Sequence, residues 1–363
     1  MHVNSIRLRY FKQFRDRTLD FTDSETGLAR PLIVLVGNNG SGKSSILQAI
    51  AAALGTATQR IRKPQDLHWP GFDLHLAGAA WSLPLEVSLR IGFSQAELAA
   101  TVEYFDRVPG LSEQPSAIRP SEDSQVTLTL SEGKVRAGRG EQYFQFRGRE
   151  YAKQILKLVE DGHRVFERVG TVFWYTEHRT STSLTADLLS GPDKEDGGAN
   201  GHLHFDENLL RRRLADLMEF HSRIDRGEYQ LRPGQRDLFA DLERRYGAVF
   251  PTRRFEGSVP RSEVDEVLRE PWFFLYDGHH QYEISEMSGG ERAIFPILFD
   301  FANWQIHNSV VLIDELELHL HPPLQQALLR ALPNLGSNNQ FIITSHSDWI
   351  ATIVPPECVI SLA

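Results

Sequence analysis

Three stretches of strict alternation mark the N-terminal part of the chain as β-sheet. Ile6, Leu8 and Tyr10 alternate with Arg7 and Arg9; Leu85, Val87, Leu89, Ile91 and Phe93 keep the same period, as does Val126-Thr127-Leu128-Thr129-Leu130. Successive strand side chains point to opposite faces, so this period of two predicts half-buried strands. Leu19 and Phe21 predict a further short strand before the polar turn at 22–27. Leu32-Ile33-Val34-Leu35-Val36, Val172-Phe173-Trp174-Tyr175, Val310-Val311-Leu312-Ile313 and Phe341-Ile342-Ile343-Thr344 are unbroken apolar runs, the pattern of strands buried on both faces. Helices are predicted over 46–54, from 289 to about 305, over 323–332, and in a pair over 206–247 broken near Pro233-Gly234. The second of that pair carries Leu238, Phe239, Leu242 and Tyr246 at helical spacing. Asp277-Gly278-His279-His280 predicts a hairpin between 272–276 and 281–284. Residues 57–70 read as a basic connector, and 106–124 and 181–202 as loops. Strands and helices alternate at the C-terminal end, which predicts a mostly parallel sheet covered by helices. No heptad pattern is sustained and no internal repeat is present.

Composition narrows the class. The 363 residues are 41% hydrophobic and 24% charged, as in globular proteins, and allow one to three domains. No apolar run approaches the roughly 20 residues that span a bilayer, and residues 1–7 read as a strand rather than a signal peptide. No membrane partner is therefore expected. The single cysteine, Cys358, excludes an intrachain disulfide and predicts a cytoplasmic setting. A net charge of −9 argues against a generally basic surface. Local basic patches from Arg211-Arg212-Arg213, Arg244-Arg245 and Arg253-Arg254 remain open.

The chemistry-bearing motifs sit between these elements. Gly37-Asn38-Asn39-Gly40-Ser41-Gly42-Lys43-Ser44 fits G-x-x-x-x-G-K-[ST], with a strand before it and a helix after it. Glycines let successive N–H groups turn into one concavity, and the helix adds its partial positive N-terminus. Asn38 to Ser45 are the predicted phosphate-binding residues, with Lys43 reaching the phosphates and the Ser44 hydroxyl meeting a magnesium ion. The buried run 310–313 carries Asp314-Glu315 to its end. Asp314 is the second predicted magnesium ligand and Glu315 the predicted general base. Ser288-Gly289-Gly290-Glu291-Arg292 opens a helix and offers a second anion-binding terminus. His346 ends the run 341–344 and is placed to hydrogen-bond a phosphate or the attacking water. His202, His204, Asp206 and Glu207 lie close together, but their spacing matches no metal pattern and reads better as a loop entering a helix.

In this order the motifs resemble the ABC-class ATPases of the SMC/RecF/OLD group, whose heads occur in DNA repair and phage-defence proteins. The resemblance covers 1–56 and 272–350. Leu312-Ile313-Asp314-Glu315-Leu316-Glu317-Leu318-His319-Leu320-His321-Pro322 is especially similar to the single-chain OLD-like AAA ATPases of bacterial defence systems. The resemblance implies an α/β fold: an ABC-type P-loop ATPase head with a mixed central sheet, a flanking antiparallel sheet and a helical insertion. The layout it implies is an N-terminal ATPase lobe over 1–180, a helical lid over 181–271 and a C-terminal ATPase lobe over 272–363. It implies ATP and Mg²⁺ as cofactors, hydrolysis of ATP, and a homodimer or higher oligomer closed around two ATP·Mg²⁺. Ser288, Gly289, Gly290 and Glu291 would then cap the nucleotide held by the other subunit, with 319–322 as the D-loop. Lys12 and Arg15 would approach the nucleotide from the first hairpin; Gln95 is a candidate for the glutamine loop, and Arg179 stands where an arginine is common. The implied role is an ATPase sensor of an anti-phage system acting with a separate effector. A RecF-like ATPase that binds DNA or other nucleic acid is the alternative. OLD nucleases add a nuclease domain, for which too few residues follow His346, and that activity is not expected.

Overall fold

The computed structural model describes residues 1–156, 158–159, 162–177, 207–260 and 271–362. The predicted loop at 181–202, with Arg179, His202, His204 and Asp206, lies outside them. The described strands are β1 (His2–Phe11), β2 (Phe14–Asp20), β3 (Leu32–Gly37), β4 (Glu86–Gly92), β5 (Gln125–Ser131), β6 (Lys134–Arg136), β7 (Val172–Tyr175), β8 (Arg254–Pro260), β9 (Pro271–Tyr276), β10 (Gln281–Glu283), β11 (Val310–Ile313), β12 (Gln340–Ser345) and β13 (Val359–Leu362). The chain divides into two compact units. One comprises Met1–Glu177, Ile306–Glu317 and Gly336–Ala363; the other comprises His178–Gln305 and Leu318–Leu335.

The first unit holds two five-stranded sheets, as the two-sheet expectation required. One has the order β13-β3-β12-β11-β7, and its pairs are parallel throughout rather than mixed. Ile33, Ile342, Leu312 and Trp174 lie in one row across four of its strands. The unbroken apolar runs are explained by this position, since both faces are covered. The other sheet, β2-β1-β4-β5-β6, is antiparallel and alternates buried with exposed residues. Between the two lies the helix Lys43–Ala57, buried on all sides, in a core shared by Leu8, Leu89 and Leu128 of one sheet and Ile33, Leu312 and Ile342 of the other. Its small residues, Ala49, Ala51, Ala52 and Ala53, let both sheets approach it.

A second cluster joins the helices Gln95–Arg107 and Gly148–Ile155 through Tyr104, Phe105, Tyr151 and Ile155. The sequence reading did not predict these helices. Ser94 caps the first by accepting from the Glu97 N–H at 3.2 Å, an S-x-x-E signal that was available to find it.

The second unit carries the helices Glu207–Asp225, Leu238–Val249, Gly289–Trp304 and Pro322–Ala331 and the antiparallel sheet β10-β9-β8. The expected hairpin is there: Tyr276 pairs with Gln281, and Asp277 Oδ1 accepts from the N–H groups of His279 and His280. Aromatic rings of Phe239, Tyr246, Phe255, Phe273 and Phe295 pack edge-on or tilted in its core. Arg211 forks onto Glu283 at 2.7 and 2.8 Å, both side chains buried. Burial alone would raise the Glu283 carboxyl, but hydrogen bonds from Arg211 and Ser285 outweigh it and hold it down at about 2.

No helix among the described residues is long and apolar enough to cross a membrane. Leu312 is fully buried in the middle of the parallel sheet. Leu312→Ala is expected to destabilise the protein by about 2–5 kcal/mol, through lost transfer energy and the cavity left behind, as checked by denaturant or thermal unfolding.

Candidate functional site

The loop between β3 and the helix Lys43–Ala57 leaves a helix N-terminus open. Its N-cap is Gly42, in the left-handed region at φ 99°, with no side-chain cap and no acidic residue in the first turn. A Cβ at Gly42 would overlap Gln13 and Phe14, so glycine is required for space as well as for φ. Gly40 is also left-handed, at φ 80°. The first N–H groups of the helix, its dipole and the Lys43 ammonium all favour an anion here. Ser41 Oγ is buried and has no hydrogen-bond partner among the described residues. An uncapped helix start and an orphaned hydroxyl in one loop fit a phosphate group.

Lys43 Nζ donates to the carbonyls of Gly37 at 2.8 Å and Asn38 at 3.0 Å and lies 3.2 Å from His346 Nδ1. Burial lowers its pKa, while Glu315, Glu317 and Asp314 pull the other way. An ammonium only donates, so His346 Nδ1 accepts, and the neutral ring carries its proton on Nε2. Nε2 lies 3.5 Å from Glu315 Oε1. The Glu315 carboxyl is raised above its ordinary value by burial and then by the charge of Asp314.

Asp314 is buried and is the meeting point of the site. Its Oδ1 accepts from Ser44 Oγ at 2.9 Å and from Thr344 Oγ1 at 2.6 Å. Ser44 and Asp314 thus stand together, two hard oxygen donors of the kind expected to meet a magnesium ion. Among the described residues no group of three or more His, Cys, Asp or Glu is placed to hold a metal.

The structure adds residues that the motifs did not single out. Thr344 Oγ1 donates to Asp314 and accepts from the Glu315 N–H at 2.8 Å. Glu317 accepts from the His346 backbone N–H through Oε1, while its Oε2 is buried without a hydrogen-bond partner among the described residues. Gln13 sits in the two-residue turn between β1 and β2, donates to the Gly40 carbonyl at 3.4 Å and accepts from Ser45 Oγ at 3.3 Å. The Ser45 hydroxyl is thereby turned to Gln13. The tight turn after an alternating strand was the available signal for Gln13; no local pattern marks Thr344.

The other predicted residues fall as follows. Lys12 Nζ is held by Gln48 Oε1 at 2.5 Å and the Gly71 carbonyl at 2.9 Å; burial lowers its pKa and Asp314 opposes this. Arg15 is exposed on β2 and makes no ion pair among the described residues. Asn38 and Asn39 are exposed on the loop, and Gln95 is exposed at the start of its helix. In the second unit Ser288 is the N-cap of the helix Gly289–Trp304, in a reciprocal capping box with Glu291. Gly290 faces Leu324 and the His319 carbonyl closely enough that a Cβ would displace Leu324, so residues 288–290 and 319–322 lie side by side.

Over 98% of its length the chain is 24% identical to the "Retron Vc95 probable ATPase" of Vibrio cholerae serotype O1 biovar El Tor, of which it spans 72%. Over 95% it is 24% identical to the Septu protein PtuA of Bacillus mycoides (strain KBAB4), of which it spans only 38%. A crystal structure of an SMC head bound to the C-winged helix domain of ScpA superposes with a TM-score of 0.50 at 14% identity, covering 97% of this chain and 91% of that one. At that identity the likeness establishes the fold alone, an ABC-type P-loop ATPase fold. The model of the AAA_21 family, an AAA domain whose description names the AbiEii toxin of a type IV TA system, matches residues 32–350. The chain therefore belongs to the AAA_21 family and has an ABC-type P-loop ATPase fold.

Proposed function

We propose that this protein binds ATP·Mg²⁺ on residues 38–45 and hydrolyses it, and that two copies close around two nucleotides. The observation that carries the reading is the convergence of Ser44, Asp314, Glu315, Lys43 and His346 beside an uncapped helix start. When bound, the magnesium ion supplies neutralisation of phosphate charge. Asp314 and Ser44 would hold that ion, and Lys43 would reach the phosphates on release from the Gly37 and Asn38 carbonyls. Glu315 takes the proton of the attacking water. His346 holds its Nε2 proton beside Glu315, its ring fixed by Lys43 on one side and its backbone by Glu317. Ser288, Gly289, Gly290 and Glu291 supply a second helix start, which we assign to the nucleotide of the partner subunit. Lys12 and Arg15 approach the nucleotide from the first hairpin only if Lys12 is released from Gln48.

We infer that the setting is anti-phage defence, with a separate effector, in the cytoplasm; the similarity to a retron ATPase and to a Septu protein supports the defence setting. The RecF-like alternative leaned on three arginine clusters. Arg211 is spent on Glu283, Arg213 on Asn303, Arg244 and Arg245 on Asp241, Arg253 on Glu291 and Arg254 on Glu256. Arg212, Arg244 and Arg254 nonetheless stay exposed, so this alternative keeps some basic surface for nucleic acid.

Glu315→Gln is expected to lower phosphate release by roughly 100-fold or more while keeping ATP binding, since general bases contribute about 10²–10⁴-fold. It should also trap an ATP-dependent dimer in sedimentation and abolish protection in phage plating. A variant that stays monomeric with ATP would sink the composite site, and plating unaffected by the intact gene would sink the defence setting. The raised pKa of Glu315 gives a pH prediction. The base must be ionised, so the rate falls as pH drops through its pKa, and the acid limb of the kcat profile should lie above that of an ordinary glutamate. Gly42→Ala should abolish nucleotide binding in a titration with a fluorescent ATP analogue, because φ 99° and the space beneath Gln13 both exclude a side chain.

A further inference from the structure

The Glu291 carboxylate, in the second helix start, is shared between two sets of donors. Oε2 accepts from the Ser288 N–H at 2.9 Å and the Ser288 hydroxyl at 2.7 Å. Oε1 accepts from Tyr246 Oη at 2.7 Å and from Tyr282 Oη, and it pairs with Arg253 at 2.5 Å. Glu291 is 2% exposed, so neither oxygen is exchanging with bulk water. An ordinary capping box needs only the Ser288 half of this arrangement. The Oε1 half comes from elsewhere in the chain. Tyr246 is on the helix Leu238–Val249, Arg253 follows that helix, and Tyr282 is on β10.

The geometry points to Tyr246, Tyr282 and Arg253 as positioning residues for the Ser288 turn, acting through Glu291, so that the inserted helix sets how this chain grips a second copy's nucleotide. The inference rests on the composite ATP site proposed above. The physical case has three parts. A carboxylate held at one oxygen by two tyrosine hydroxyls and by the Arg253 charge is restrained from swinging, so its other oxygen holds Ser288 and keeps the turn's N–H groups aimed. Burial, then the Glu291 charge, raise both tyrosines, so both keep the protons they donate. Burial works against the Glu291 charge, but the donors outweigh it and keep the carboxyl ionised below its ordinary range. The other side of the turn is closed by Leu324 and the His319 carbonyl against Gly290, so the Glu291 side is where adjustment can enter.

The test uses the full chain with Glu315→Gln, so that dimers accumulate without turnover. Dimerisation with ATP is read by sedimentation over a range of protein concentration. Nucleotide affinity is read with a fluorescent ATP analogue at concentrations where the protein is monomeric. Adding Y246F and Y282F, which remove only the two hydroxyls, should raise the dimer dissociation constant about tenfold, the scale expected for losing charged hydrogen bonds. Monomer nucleotide affinity should stay within about twofold. Arg253→Gln should act in the same direction, and Arg253→Lys, which keeps the charge, should largely restore dimerisation. Dimerisation at the unsubstituted concentration by a folded double variant overturns the inference while leaving the composite site intact. Proportional loss of nucleotide affinity and dimerisation overturns it too, since that marks general destabilisation. If Glu315→Gln alone never dimerises with ATP, the composite site fails and the inference falls with it. Should the double variant not fold, Y282F alone carries the same comparison, because Tyr282 is only half-buried.

Discussion

The buried carboxylate of Asp314 is the constraint around which the first unit is arranged. Left alone in an apolar sheet, an ionised carboxylate costs several kcal/mol. Here Oδ1 takes hydroxyl protons from Ser44 and Thr344, and the backbone N–H donates to the Tyr175 carbonyl at 2.9 Å. Each hydrogen bond to a charged group contributes about 1.5–3 kcal/mol, enough together to offset burial. Strand order makes this possible. Because β12 lies between β3 and β11, Thr344 stands between the phosphate-binding loop and the strand that carries Asp314. A different order would leave Asp314 without Thr344 and too far from Ser44.

The same constraint accounts for the strain next to it. Glu315 is left-handed at φ 46°, a conformation that costs a non-glycine residue about 1–3 kcal/mol. It is held there because the Glu315 N–H is tied to Thr344 Oγ1 and the Leu316 N–H to the Thr344 carbonyl. The bend turns the Glu315 carboxylate off the strand axis and toward His346. Thr344 therefore serves two residues at once: it satisfies the carboxylate that would hold the metal and aims the one that would take the proton. Glu291 shows the same economy in the second unit, where one carboxylate joins a helix start to two tyrosine hydroxyls and an arginine from other elements.

How much of this could be read from the sequence depended on how local each feature was. The loop 37–44, the acidic pair 314–315 and the Ser288 turn are contiguous, and each sits at the end of a strand or start of a helix that its own residues specify. The apolar runs of β3, β7, β11 and β12 were legible as buried strands, although only the sheet pairs them in parallel. The helix Gln95–Arg107 was missed despite its Ser94 cap, and β8 and β13 carry no strong period of their own. For the arginine clusters, sequence shows the charge without the acids opposite, such as Glu283 for Arg211 and Glu291 for Arg253.

The sequence by itself determined the candidate site motifs, their order and the class of fold, because glycine loops, caps and buried strands are set by residues within a few positions of one another. The tertiary structure decided which distant groups share a carboxylate. Ser44 and Asp314 are separated by 270 positions, and Lys43 and His346 by 303. No period in the chain encodes such a pairing. It follows from sheet order and from the cost of burying an unpaired charge, and it is what turned Gln13, Thr344, Glu317, Tyr246 and Tyr282 from ordinary residues into parts of the two sites.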